Sequence, residues 1–394
     1  MRDTLKSAKG LVNSLTLVLL LAIPVSSSKG ADWQLELIDQ AAKGFFASLK
    51  IDKNGNGHVA YISDDGYNTV KYGFWDRTLK RWFVMPIGQH GNFSSLALDS
   101  KQHPHVSWDD GKLWYAHWDG DSWKKQTVPI NARDIGFYTS IGLDPKDNPA
   151  LSFYEYEGPP GSELMIRLRA VIWNGNFWEL HTADATPGSG KFNALAIDSN
   201  GRPNIAYGNV KYESMSLRYA SWDGHAWNDE ILEGATVPYA AQSVNLAMDQ
   251  KGNPHITYSN DVFHQVKYAT RRNGKWEFEV VDSILRQGFP DRNGIALDSE
   301  GNPYISYFDA GGGLLKVAHR TSRGWVSEVV DQNYAGFTSS IQVTDDAIFV
   351  VYTADAENAL KFAWRSLDQG DLSVRRTSPP ALNITAGTGA PKQQ

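Results

Sequence analysis

The fold is decided by residues 245–281, which read Asn245-Leu-Ala-Met-Asp249, a Gly-Asn-Pro turn, His255-Ile-Thr-Tyr258, Val266-Lys-Tyr268 and Trp276-Glu-Phe-Glu-Val-Val281. Each phrase alternates with period two, is rich in β-branched and aromatic residues, and is bounded by Gly, Asn, Asp or Pro, which is the pattern of a short strand. Asn253-Pro254 gives a compact link between the first two phrases. In other copies the third and fourth are joined by Asp119-Gly120, Asn174-Gly175 or Asp223-Gly224, with the positive-φ chemistry of a tight hairpin. The segment therefore predicts four antiparallel strands.

The same four-phrase unit recurs along the chain. Its marker tryptophans are Trp33, Trp82, Trp123, Trp178, Trp227, Trp276 and Trp325, at intervals of 49, 41, 55, 49, 49 and 49 residues. The first phrase returns as Ser95-Leu-Ala-Leu-Asp99, Ala194-Leu-Ala-Ile-Asp198 and Gly294-Ile-Ala-Leu-Asp298, the second as Asn204-Ile-Ala-Tyr207 and Tyr304-Ile-Ser-Tyr307. The third returns as Val70-Lys-Tyr72, Leu217-Arg-Tyr219 and Leu360-Lys-Phe362. Seven copies of four strands predict an all-β, seven-bladed propeller. One outer strand is then surplus, and Trp33-Gln-Leu-Glu-Leu-Ile38 fits the pattern better than Leu372–Arg376. The expectation is that this N-terminal strand completes the last blade and closes the ring.

The ends and the composition bound the rest. Residues 1–30 join Arg2, Lys6 and Lys9, an apolar run from Leu11 to Val25 and an exit through Ser26, Ser27, Ser28 and Gly30. That order describes a secretory signal peptide, and the run falls short of the about 20 residues of a membrane span. Residues 31–377 form the expected propeller, and residues 378–394, rich in Pro, Gly and Thr, a disordered tail. Cleavage would take the net charge from −6 to −9. An acidic chain argues against nucleic acid as a partner, and the absence of Cys removes thiolate metal sites and a cysteine nucleophile. The expectation is a secreted or periplasmic monomer, free of the membrane once cleaved, that engages an extracellular glycan or protein and needs no cofactor or metal.

These repeats resemble those of bacterial secreted seven-bladed propellers, loosely grouped with the sialidase-like superfamily, across residues 33–377. The Asp-box of true sialidases and the Gly-His element of WD40 blades are both absent. The resemblance implies architecture; propellers host hydrolases, lyases, lectins and scaffolds alike.

Function is sought by subtracting the repeat. Seven of the 14 tryptophans are markers, and Trp75, Trp118, Trp173 and Trp222 share one position before the hairpin turn. The acids Asp52, Asp99, Asp144, Asp198, Asp249 and Asp298 recur at a turn, and His58, His105 and His255 share a slot, which favours building roles over chemistry. The Gly-Phe pairs at 44, 136, 288 and 336 recur at blade junctions and read mainly as packing. What remains clusters in blade 2, the shortest repeat, which holds Trp108 and Trp114, and in blade 3, the longest, which inserts Glu155-Tyr-Glu-Gly-Pro-Pro-Gly161 and adds Arg167.

A short blade beside a long one predicts a notch with a wall. Strand direction places His90, Trp108, Asp109, Asp110, Arg133, Asp134, Tyr154, Glu155, Arg167, Tyr239, His264, Arg286 and Phe289 on that face. Three functions fit. The first is a binding site for one glycan or protein, using Trp108, Asp109, Asp110, Tyr154, Glu155, Arg167, Tyr239, His264, Arg286 and Phe289. The second is a polysaccharide lyase or glycoside hydrolase with His90, Tyr154, Arg133 and Arg167 as its candidates. The third is a lectin with repeated sites between blades. A lyase-style set of His105, His117, Tyr154 and Arg169, such as ulvan lyases suggest, is opposed by strand geometry. Both histidines lie about 10 Å along the strand from the tyrosine's level, at about 3.3 Å per residue, and proton transfer needs about 3 Å.

Overall fold

A computed structural model describes residues 33–40, 43–130, 138–156, 166–211, 214–234, 241–260, 262–284 and 292–367. Seven four-stranded antiparallel sheets account for nearly all of them, with a single short 3-10 turn at Asp355–Glu357. In chain order, blades 1 to 6 cover residues 44–88, 94–127, 140–184, 189–233, 242–283 and 294–331. Blade 7 takes three strands from residues 335–366 and its outer strand, Gln34–Asp39, from the other end of the chain. Gln34 opposes Trp364 and Asp39 opposes Leu360, so the ring closes as the repeat predicts. The expected signal peptide, the surplus phrase at Leu372–Arg376 and the expected tail lie outside the described residues. Among those described, no helix is long and apolar enough to cross a membrane.

The recurrent acids make turns. Asp249 Oδ1 accepts the backbone N–H groups of Lys251 and Asn253, at 2.9 and 2.7 Å, while Oδ2 accepts the Asn253 amide. Asp52, Asp144 and Asp298 repeat all three bonds, and Asp99 and Asp198 keep the backbone pair. The side chain thus pins the link from inner to second strand. Tryptophans pair across the hairpins that follow: Trp75 opposes Trp82, Trp118 Trp123, Trp173 Trp178 and Trp222 Trp227, with ring centroids 5.5–6.5 Å apart. With the markers Trp33, Trp276 and Trp325, which pack into the apolar core, eleven of the 14 are blade hardware.

One further device joins each blade to the next. Six residues after a marker tryptophan, an acid at the end of the outer strand accepts a hydrogen bond from a tyrosine on the next blade's second strand. A Lys or Arg on that blade's third strand pairs with the same acid. The sets are Asp39–Tyr61–Lys71, Asp184–Tyr207–Arg218, Glu233–Tyr258–Lys267, Asp282–Tyr307–Lys316 and Asp331–Tyr352–Lys361. All five tyrosines are essentially buried, so each hydroxyl needs the partner it has. Five of the seven junctions carry this lock. The exceptions are the junctions on either side of blade 2.

Candidate functional site

At the junction of blades 1 and 2 all three lock residues are replaced. Gly88 stands where the acid belongs, six residues after Trp82; Trp108 replaces the tyrosine; Trp114 replaces the cation. Trp108 and Trp114 are opposed across their strands and stack at 5.6 Å with planes 2° apart. Trp108 is 1% exposed, and a Cβ on Gly88 would lie 2.8 Å from its Cζ2. The glycine is therefore the counterpart of the indole: the ring fills the space a carboxylate side chain would need.

The exchange opens a cleft of about 430 Å³ lined by Pro86, Ile87, Gly88, Gln89, His90, Trp108, Asp110, Trp114 and Lys125. Trp114 is half-buried, and the exposed Lys125 places Nζ 5.8 Å from its ring centre while donating to the Ile87 carbonyl at 3.3 Å. His90 is exposed and holds φ 57°, and its backbone N–H donates to the Tyr67 carbonyl at 3.0 Å. That bond ties the blade-1-to-2 link to the Tyr67 turn, where the phenol is 66% exposed. The Trp108 and Trp114 indole N–H groups have no hydrogen-bond partner among the described residues.

Asp109 lies beneath the rim. Asn92 holds it twice, donating its amide to Oδ2 and its backbone N–H to the Asp109 carbonyl, both at 2.9 Å, while Oδ1 finds no partner among the described residues. Burial, aided by the neighbouring charge of Asp110, pushes the Asp109 carboxyl up to about 7. The exposed Asp110 forms the tight turn to the third strand, accepting the Lys112 N–H at 3.2 Å.

The junction of blades 2 and 3 departs differently. Pro129 occupies the acid's place, and the tyrosine's becomes Phe153. Arg169 stands at the cation's place and turns to the buried Glu155 of its own blade, Nε to Oε2 at 2.8 Å. Tyr154 is buried between Tyr138, at 6.0 Å, and Tyr156, at 5.4 Å. Arg167 is half-buried and donates to the Ile166 carbonyl at 2.9 Å.

The structure thus brings His90, Trp108 and Asp110 together in one cleft, with Asp109 adjoining. Tyr154, Glu155 and Arg167 sit in blade 3 and do not line it. His264 lies in blade 5, at φ 51°, with its carbonyl accepting the Ile284 N–H. Arg133, Tyr239, Arg286 and Phe289 lie outside the described residues, as does most of the blade-3 insertion. Sequence reading missed Gln89, Lys125 and Tyr67. The signal that would have found the cleft is the break in the Trp-x5-acid pattern at Gly88.

The His slot serves construction. His58, His105 and His255 each bond through Nδ1 to a tyrosine hydroxyl on the next strand, Tyr72, Tyr115 and Tyr268, at 2.6–2.7 Å. Each points Nε2 at the turn acid, 3.6–3.8 Å away. An Asp–His–Tyr line repeated in three blades belongs to the repeat. Burial lowers His105 and His255 to about 4, so both are neutral at pH 7.

No protein-family model matches the chain, and no curated protein matches it. Solved structures share its shape. An ulvan lyase from a new family of polysaccharide lyases superposes with a TM-score of 0.51 at 12% identity, covering 87% of this chain and 100% of its own. The Hadza microbial sialidase gives 0.51 at 11% identity, covering 85% and 68%. The Aleuria aurantia lectin gives 0.50 at 13% identity, covering 75% and 98%. At these identities the likeness is one of fold.

Proposed function

We propose that the chain is an exported carbohydrate-binding propeller whose sugar site is the cleft between blades 1 and 2. The observation that carries this reading is the exchange of an ion lock for a stacked tryptophan pair with Trp114 at the cleft surface. A sugar presents an apolar C–H face to such a ring and hydroxyls to the polar groups around it, and Gln89, His90, Asp110 and Lys125 supply donors and acceptors of both signs. Two of the structures above, the ulvan lyase and the Aleuria aurantia lectin, are described in complex with carbohydrates, which agrees with the class of ligand. Binding is favoured over catalysis because the cleft lining offers one imidazole and one carboxylate but neither Tyr154 nor Arg167. One site is favoured over many because five junctions are filled by their locks and, of the other two, only that between blades 1 and 2 carries the stacked tryptophans.

The test is a panel of neutral and acidic polysaccharides titrated against wild type, Trp114→Ala and Lys125→Ala, with absorbance followed for unsaturated products. The expected outcome is binding without product formation, weakened about tenfold or more by Trp114→Ala, since losing a stacking ring costs about 1–3 kcal/mol. Lys125 is exposed, so its variant reports the site without disturbing the fold. Unsaturated product would move the assignment to a lyase, and binding indifferent to both substitutions would move the site elsewhere.

A further inference from the structure

The propeller axis holds a second polar feature that the cleft does not use. Counting six residues back from each turn acid gives one residue per blade at the mouth of the inner strand: Phe46, Phe93, Tyr138, Phe192, Ser243 and Arg292, with Thr338 as the blade-7 equivalent. Four are aromatic and form a continuous arc over blades 1 to 4, with successive centroids 4.0, 4.4 and 4.8 Å apart. Phe46, Tyr138, Phe192 and Ser243 all hold positive φ near 50–70°, a conformation that non-glycine residues seldom adopt. Arg292 is the one charged member of the ring.

Together Phe46, Tyr138, Phe192, Asn193, Ser243, Val244 and Arg292 enclose about 20 Å³ on the axis. That is room for a single water-sized occupant. No carboxylate lines it among the described residues. The Asn193 amide is already committed, donating to the Gly190 carbonyl at 2.9 Å and accepting the Ser152 hydroxyl at 2.6 Å. Burial holds the Tyr138 phenol well above its usual range, so it remains an O–H donor. Burial also lowers the Arg292 guanidinium, to about 10, and it stays charged at pH 7. A cation in a largely aromatic chamber is costly unless a negative partner joins it.

We infer that the axial chamber binds one small monovalent anion of halide size, held by the Arg292 guanidinium with the Tyr138 hydroxyl as a second donor. Blade 6 would then be tied through the ion to the aromatic arc of blades 1 to 4. The site is independent of the sugar cleft, which lies between two blades away from the axis.

Wild type and Arg292→Gln are melted in sodium chloride and in sodium gluconate at matched ionic strength, and wild-type crystals grown in sodium bromide are measured at the bromine edge. The expected result is a bromine peak within hydrogen-bond reach of the guanidinium. Wild type should also melt about 1–2 °C higher in chloride, with no difference between the salts for Arg292→Gln. Absence of bromine from the axis overturns the inference. So does a chloride effect that survives in Arg292→Gln, because that ion then sits elsewhere.

Discussion

At the scale of the residue, Gly88 and Trp108 explain each other. A Cβ at 88 would collide with the indole at 2.8 Å, and the indole fills the room that the lock acid takes at the other junctions. Gly88→Ala should therefore cost about 1–3 kcal/mol in chemical denaturation, as overpacking does. Trp108→Ala should cost about 3–5 kcal/mol, as loss of a buried aromatic does. If Gly88→Ala is neutral, the packing argument for the cleft is wrong. The buried histidines give a pH prediction with a definite sign. His105 and His255 have folded values near 4 against about 6.5 unfolded. Between these values the unfolded chain binds more protons, so stability falls as pH drops from about 6.5 to 4. NMR titration should find both rings neutral at pH 5, and either one titrating near 6.5 would contradict the assignment.

At the scale of the element, the N-terminal strand does what the surplus phrase in the sequence implied, through identifiable contacts. Its Glu36 accepts the indole N–H groups of Trp75 in blade 1 and Trp364 in blade 7, both at 3.0 Å, and burial raises its pKa. Its Asp39 accepts the Tyr61 hydroxyl at 2.7 Å and pairs with Lys71 at 2.8 Å. One strand therefore holds the first and last blades. Asp39→Ala strands a buried hydroxyl and an ammonium, and thermal or urea unfolding should show a loss of about 2–4 kcal/mol. Adding Tyr61→Phe should cost less than that substitution costs alone in wild type, since its partner is already gone. Strictly additive losses would mean that the lock does not couple the strand to blade 1. This element was legible because its Trp-led alternation matches six others. The lock itself is not legible in the sequence, because its acid lies 21 to 34 residues from its partners and meets them only across two blades.

For the whole molecule, the repeat made the architecture readable while only part of the site could be read. Strand count, ring closure, turn acids and paired tryptophans follow from residues that recur at fixed spacing. Trp108 and Asp110 stood out as exceptions and do share a cleft with His90. Its other wall is the end of blade 1's outer strand, where Pro86, Ile87 and Gly88 carry no obvious chemistry in sequence. The ring is also uneven. Blades 3 to 7 and the closure into blade 1 are fastened by ion locks, while blade 2 has no such lock on either side, and its outer strand Trp123–Thr127 is largely exposed. Hydrogen exchange should therefore be faster in that strand than in the outer strands Lys275–Ser283 and Gly324–Asp331 of blades 5 and 6. Equal protection around the ring would contradict this asymmetry. That asymmetry leaves two junctions without locks, of which only the one between blades 1 and 2 carries the stacked tryptophan pair, so one sugar site is expected, and calorimetric titration of the best ligand from the polysaccharide panel reads that number. The expected result is one site per chain, with affinity reduced about tenfold or more by Trp114→Ala. Several equivalent sites per chain, or one site untouched by that substitution, would contradict a single cleft between blades 1 and 2.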